Sequence, residues 1–180
     1  MQILSVPFFG AGAFESIATT TLSTSTATIT FSSIPATYKH LQIRYIAKTT
    51  NAAASDICVW RLNSDTATNY SRHYLYGDGA SAVSGAGVSD TRMMTDGVTG
   101  ANHAAGTFGT GIVDILDYAN TDKYKTLRAL TGYKGSAGGL FVLNSGNWRS
   151  TSAVTSITIT SNSTASFIQY SQFALYGIKG

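Results

Sequence analysis

The last strand-forming stretch of the chain, residues 167–179 (FIQYSQFALYGIK), restricts the possible folds most. Its apolar residues occupy both faces of an extended strand: Phe167, Phe173 and Leu175 on one, and Ile168, Tyr170, Ala174, Tyr176 and Ile178 on the other. Such a strand needs cover on both sides, so the pattern favours a central position in a sheet or contact with a neighbouring subunit. The sequence leaves both alternatives open.

The composition favours β-structure throughout. Only 12% of the 180 residues are charged, and Ser and Thr supply most of the polarity, together with 18 Gly and 10 Tyr. Thr, Ser and Gly are poor helix formers, whereas Thr and Tyr are common in strands. A chain of this length forms one domain with a substantial core. We therefore expect a single all-β domain.

Alternating apolar and polar residues recur in about ten short segments separated by turn residues. Residues 40–47 are an example, with Leu41, Ile43 and Tyr45 on one face. Many short strands of this kind predict a single antiparallel β-sandwich of the jelly-roll type, with about 8–10 strands over residues 15–180. A turn is expected at residues 146–148.

Residues 80–106 are the least regular part of the sequence, with Gly, Ala, Ser and Asp dominating. They predict a long connection with a short helix near Arg92. Connections of that length are often functional, so this segment is a candidate binding loop.

An apolar N-terminal arm, residues 1–14 (MQILSVPFFGAGAF), precedes the domain and is broken by Pro7, Gly10 and Gly12. Leaving its large side chains in water costs about 1.5–3 kcal/mol each. The arm is expected either to pack on its own domain as a first strand or to dock on another subunit or protein. The candidate capsid or subunit contacts are Ile3, Val6, Phe8, Phe9, Phe14, Leu175 and Tyr176.

Charge and cysteine content exclude several classes of partner. The 12 basic and 9 acidic residues are spread along the chain without a basic cluster, which argues against nucleic-acid binding. No apolar run approaches the roughly 18 residues of a membrane span, and the N-terminus lacks the basic start of a signal peptide. The single cysteine, Cys58, excludes an intrachain disulfide and a multi-cysteine zinc site.

No arrangement of residues predicts catalysis. His40, His73 and His103 are not spaced as metal ligands, and Glu15 is the only glutamate. Asp114 and Asp117 fall on opposite faces of one predicted strand, so they cannot share a substrate. We therefore expect no catalytic residues, no metal, no cofactor and no enzymatic activity.

Six aromatic residues allow two interpretations: Trp60, Tyr70, Tyr74, Tyr76, Tyr133 and Trp148. They could form a sugar-binding platform. They could equally fill the core and the subunit interfaces of a β-protein with few charges.

Several motifs together resemble the virion proteins of tailed bacteriophages. They are SIPATYKHLQIRY at 33–45, NYS at 69–71 with LYGDG at 75–79, DYAN at 117–120, and FALYGIK at 173–179. The resemblance implies a jelly-roll domain that trimerises on the phage surface. Domains of this kind occur in capsid decoration (cement) proteins and in parts of fibres and tail tips.

The resemblance also implies a function and a location. The chain is expected to be a non-enzymatic homotrimer at the particle surface, assembled in the host cytoplasm and bound to the major capsid protein or other virion proteins. The short arm favours a decoration protein that stabilises the capsid over a fibre. The alternative is a tail fibre or receptor-binding module that binds a host surface glycan.

Overall fold

The computed structural model describes residues 12–180, in which twelve strands and no helix are found. The strands are β1 (Phe14–Thr21), β2 (Thr28–Phe31), β3 (His40–Ala47), β4 (Ser55–Leu62), β5 (Tyr70–Gly77), β6 (Ala82–Asp90), β7 (Met93–Thr99), β8 (Gly109–Leu116), β9 (Lys125–Gly135), β10 (Gly138–Trp148), β11 (Ile157–Ser161) and β12 (Gln172–Ile178). The prediction of an all-β fold is confirmed.

The strands form two antiparallel sheets. The larger has eight strands in the order β1-β12-β3-β8-β9-β10-β5-β6, and the smaller has four in the order β2-β11-β4-β7. One core lies between them, because the buried apolar side chains of both sheets belong to a single cluster. The sandwich prediction is therefore confirmed, with two strands more than the ten segments expected.

Aromatic rings occupy the centre of this core. The Tyr45 ring lies 6.0 Å from that of Trp60 and 5.7 Å from that of Phe173, and Phe167 meets Phe173 edge-on at 4.9 Å. Such pairs add about 0.5–1.5 kcal/mol beyond their buried area. Cys58 is fully buried beside them, and desolvation raises the pKa of its thiol well above the ordinary value, so this thiol is unreactive.

The C-terminal stretch is only partly the strand that its pattern predicts. β12 lies between β1 and β3, which confirms the central position. However, Tyr170 has a positive φ of 72°, which breaks the extended run before β12 begins. Phe167 instead forms isolated bridges with Thr26 and Thr49, and its ring is buried.

The prediction of an irregular connection at residues 80–106 is wrong, because this segment contains β6 and β7 and has no helix near Arg92. Its glycines serve close packing between strands. A Cβ at Gly85 would lie 2.3 Å from the Tyr74 hydroxyl, so only glycine lets that ring lie across β6.

The turn expected at residues 146–148 is likewise wrong, because β10 continues through it. A Cβ at Gly146 would collide with the Met93 side chain. Because Gly146 has no side chain, Met93 of β7 can pack directly against β10.

A fully buried lysine, Lys125, joins two loops, the β8–β9 connection and the β10–β11 connection. Its ammonium group donates hydrogen bonds to the carbonyl oxygens of Asn120, Lys123 (2.8 Å) and Thr151 (3.1 Å). Desolvation lowers the pKa of this group. All three donors have acceptors, which is how a buried ammonium is tolerated.

Replacing this lysine by an uncharged chain should destabilise the domain. We expect Lys125→Met to lower the free energy of unfolding by about 2–4 kcal/mol, because the two loops lose three hydrogen bonds from a charged donor. Urea unfolding measures the change. Lys134→Met, at an exposed lysine of the same strand, is the matched control and should stay within about 0.5 kcal/mol of the parent. Equal stabilities for the two variants would contradict this role.

Asp117 forms ion pairs with two lysines at the protein surface. It follows β8 with a φ of 47° and pairs with Lys123 and with Lys39, whose Nζ lies 2.8 Å from Oδ1. These two lysines lower the pKa of the carboxyl group to about 2.

The ion pairs of Asp117 should make the free energy of unfolding depend on pH in the acid range. A carboxyl group whose pKa is lowered on folding stabilises the domain above its unfolded pKa of about 3.9, and this stabilisation disappears as the pH falls towards about 2. We expect Asp117→Asn to lose less stability than the parent between about pH 4 and pH 2. Asp122→Asn, at an exposed carboxylate of the same turn, is the control. The idea fails if both variants follow the acid profile of the parent.

Candidate interaction surface

The outer face of the eight-stranded sheet carries a row of exposed aliphatic side chains. Register places Ile112 opposite Leu130, Leu130 opposite Leu143, and Leu143 opposite Leu75, so the row crosses β8, β9, β10 and β5. These four side chains are 41–49% exposed. In β8, β9 and β10 the neighbouring residues Val113, Ala129 and Val142 are buried on the opposite side of the sheet, as strand alternation requires.

Two more apolar residues widen this row. Ile46 on β3 and Phe141 on β10 are 44% and 57% exposed, and Gly132 lies opposite Phe141. We call the six residues the apolar face: Ile46, Leu75, Ile112, Leu130, Phe141 and Leu143. Two hollows of about 560 and 660 Å³ lie along the row, and Ile112 and Leu130 line both. A contiguous apolar surface of this kind usually marks a contact site.

A polar row borders the apolar face along the sheet. Gln42 Nε2 donates to Asp114 Oδ1 at 2.8 Å, and Arg44 Nε donates to Gln42 Oε1 at 2.7 Å. Arg128 extends the row, with its guanidinium 3.8 Å from Asp114 Oδ2. An apolar centre with a hydrogen-bonded polar edge is the usual composition of a protein interface.

The predicted contact residues fall into three groups. Ile3, Val6, Phe8 and Phe9 lie outside the described residues. Phe14, at the start of β1, is 47% exposed, and Tyr176 is half-buried; the Arg44 guanidinium lies 5.4 Å from the centre of each ring. Leu175 is fully buried in the core, so its side chain is not available to a partner. Phe14 and Tyr176 thus lie next to the polar row.

Sequence reasoning missed the apolar face itself. A signal was present, because β8, β9 and β10 each place apolar residues on both faces, as Ile112 and Val113 do in β8. A two-sided pattern in three neighbouring strands indicates an apolar outer surface of the sheet.

The six aromatic residues divide between the core and the surface. Trp60, Tyr70 and Trp148 are buried, and the Trp148 indole donates to Asp65 Oδ2 at 2.7 Å. Tyr76 and Tyr133 instead line an open cleft of about 500 Å³ together with Asp96. The core interpretation is therefore confirmed for Trp60, Tyr70 and Trp148, whereas Tyr76 and Tyr133 lie at the surface.

The cleft lies beside β7, the last strand of the smaller sheet, and the larger sheet extends past it. Tyr74 and Tyr76 are neighbours on that extension, with ring planes only 12° apart. Desolvation raises the pKa of Asp96, although the guanidinium of Arg72 lies 3.6 Å away.

Of the described histidines, His40 lies near a carboxylate, with its Nδ1 3.8 Å from Asp117 Oδ1. His40 Nδ1 accepts a hydrogen bond from the backbone of Asp117 at 2.9 Å, and buried His103 packs edge-on against Tyr133. Asp114 belongs to the polar row and Asp117 to the lysine pair, so the two carboxylates have separate environments. Within residues 12–180, no group of three or more His, Cys, Asp or Glu side chains is arranged to hold a metal ion.

None of the described residues forms a helix long and apolar enough to cross a bilayer. Comparison of the chain with models of protein families, with curated proteins and with solved structures finds no match.

Proposed function

We propose that this chain is a non-enzymatic structural protein of a tailed-bacteriophage particle, a capsid decoration or cement protein that docks as a trimer and stabilises the capsid. The observation that carries the proposal is the apolar face, which gives the domain a surface suited to another protein. The motif resemblance supplies the kind of particle. The major capsid protein and the other copies of the chain are the proposed partners.

The strand order supports the jelly-roll expectation within this proposal. β1 pairs with β12, β2 with β11, β3 with β8 and β4 with β7, so the first strand meets the last and each further pair nests inside. A ribbon of four nested antiparallel pairs rolled into two sheets is a jelly roll. The hairpins β5–β6 and β9–β10 are then insertions, and they extend one sheet.

The inserted hairpins also supply most of the apolar face. Leu75, Leu130, Leu143 and Phe141 lie on β5, β9 and β10. Burial of each large side chain is worth about 1.5–3 kcal/mol when it is complete. A cluster of this size can form the centre of a standard interface of about 800 Å² per partner.

A charge in the middle of the apolar face should weaken docking without unfolding the domain. We expect Leu130→Lys to weaken capsid binding and self-association about tenfold or more, because the buried contact of a leucine is lost and an ammonium must be desolvated. Co-sedimentation with capsids and analytical ultracentrifugation measure the two effects.

The matched control is Val88→Lys, because Val88 is an apolar residue of β6 that is 79% exposed outside the apolar face. Both variants should retain the thermal unfolding midpoint of the parent. Unchanged capsid occupancy and oligomeric state for folded Leu130→Lys would refute docking through this surface.

The cleft at Tyr76 and Tyr133 favours a second candidate function, a receptor-binding module of the tail that binds a host surface glycan. Aromatic rings next to a carboxylate offer a sugar both a stacking surface and a hydrogen-bond acceptor. The cleft is about 500 Å³ and open to solvent.

Under this alternative, purified protein should bind host cells saturably, and Tyr76→Ala should weaken that binding about fivefold, since loss of one aromatic contact is worth about 1 kcal/mol. Flow cytometry with labelled protein measures it. Tyr124→Ala is the control, because Tyr124 is 53% exposed and does not line the cleft. Absence of saturable binding to host cells would remove this candidate.

A further inference from the structure

The outer face of the smaller sheet brings two arginines together without a carboxylate. β4 pairs with β7 through Val59 opposite Met94 and Trp60 opposite Met93, so the next step of this register sets Arg61 opposite Arg92. Both line one hollow of about 210 Å³. Like charges directly opposite each other on neighbouring strands are destabilising, so this pair needs a compensating partner.

No such partner is found within residues 12–180. The ion pairs of this part of the chain involve neither arginine, and no acidic residue lines the hollow. The Nε atoms of both guanidinium groups are buried and have no hydrogen-bond acceptor. A desolvated donor of a charged group that lacks its acceptor is costly, by about 1–3 kcal/mol or more.

The remaining polar groups of the hollow suit the same kind of partner. Thr160 and Asn162 line it beside the arginines. A hydroxyl and an amide can each donate a hydrogen bond, and a guanidinium presents a planar set of donors that matches the oxygens of phosphate. The hollow has room for a small ion and several waters, each of about 30 Å³.

We propose that this hollow, which we call the arginine pocket, binds a doubly charged oxyanion of the phosphate type. Arg61 and Arg92 supply the positive charge and hydrogen bonds to the oxygens, and Thr160 and Asn162 supply further donors. The anion relieves the repulsion between the two guanidinium groups and provides the missing acceptors. This site is separate from the apolar face, which lies on the opposite outer side of the sandwich.

A simpler account assigns the two arginines to packing alone. Val59 and Met94 lie on the same outer face, yet they are only 3% and 8% exposed, and arginine side chains can cover apolar neighbours with their methylene groups. Packing alone predicts no dependence on the anion that is present. The two accounts are therefore distinguished by titration with phosphate.

The test uses the full chain and inorganic phosphate, titrated against chloride at constant ionic strength. Phosphate should raise the thermal unfolding midpoint of the parent in a saturable way, because it binds the folded state. Arg61→Gln and Arg92→Gln should each weaken this effect about tenfold or more, as expected for loss of a hydrogen bond to a charged group. Arg149→Gln, at a half-exposed arginine outside the pocket, should respond as the parent does.

A second measurement needs no substitution, so it is unaffected if a variant folds poorly. Phosphate should shift the Nε–Hε resonances of Arg61 and Arg92 in the NMR spectrum of the parent and leave that of Arg149 in place. Sulfate should compete with phosphate, and singly charged acetate should compete much less. Absence of a saturable effect, or equal shifts at all three arginines, would overturn the proposal.

Discussion

The pairing of β12 with β1 on one side and β3 on the other holds the larger sheet together. Seven residues near the C-terminus of the described chain lie between two strands from the other end of it, and every residue of β12 has a partner on β3. The same strand places Phe173 and Leu175 in the core, where Phe173 contacts the rings of Tyr45 and Phe167. Hydrogen bonding in the plane of the sheet and aromatic packing below it therefore depend on the same residues.

The two inserted hairpins explain why the two sheets differ in size and in surface chemistry. The smaller sheet covers only part of the larger one, because the hairpins β5–β6 and β9–β10 add strands to one sheet only. The added strands need apolar residues facing inwards, and they also carry Leu75, Leu130 and Leu143 on the outside. Past the edge of the smaller sheet, the inner side of the extension is open and forms the tyrosine-lined cleft.

Much of the fold could be predicted from local sequence patterns, because strand alternation in segments such as residues 40–47 is unambiguous. The errors arise where small residues are used for contact between strands. Gly85 and Gly146 indicate loops when read alone, but Gly85 accommodates the Tyr74 ring and Gly146 accommodates Met93. The partner that gives each glycine its role lies elsewhere in the sequence, so a local pattern cannot reveal it.

The candidate sites were harder to predict for a related reason. Ile112, Leu130 and Leu143 form a row only once three strands are in register, and none of them stands out in its own segment. The meeting of Arg61 and Arg92 likewise depends on the pairing of β4 with β7. By contrast, the burial of Leu175 follows from the two-sided pattern once β12 is known to be central, which removes the need for a subunit contact at that residue.

The positions of the two surfaces have a consequence for assembly. The apolar face lies on the outer side of the eight-stranded sheet, and the arginine pocket lies on the outer side of the four-stranded sheet. A domain that docks through the first surface keeps the second exposed to solvent, where anions can reach it. Anion binding could then change the stability of the domain without competing for the docked surface, because the two sites share no residue.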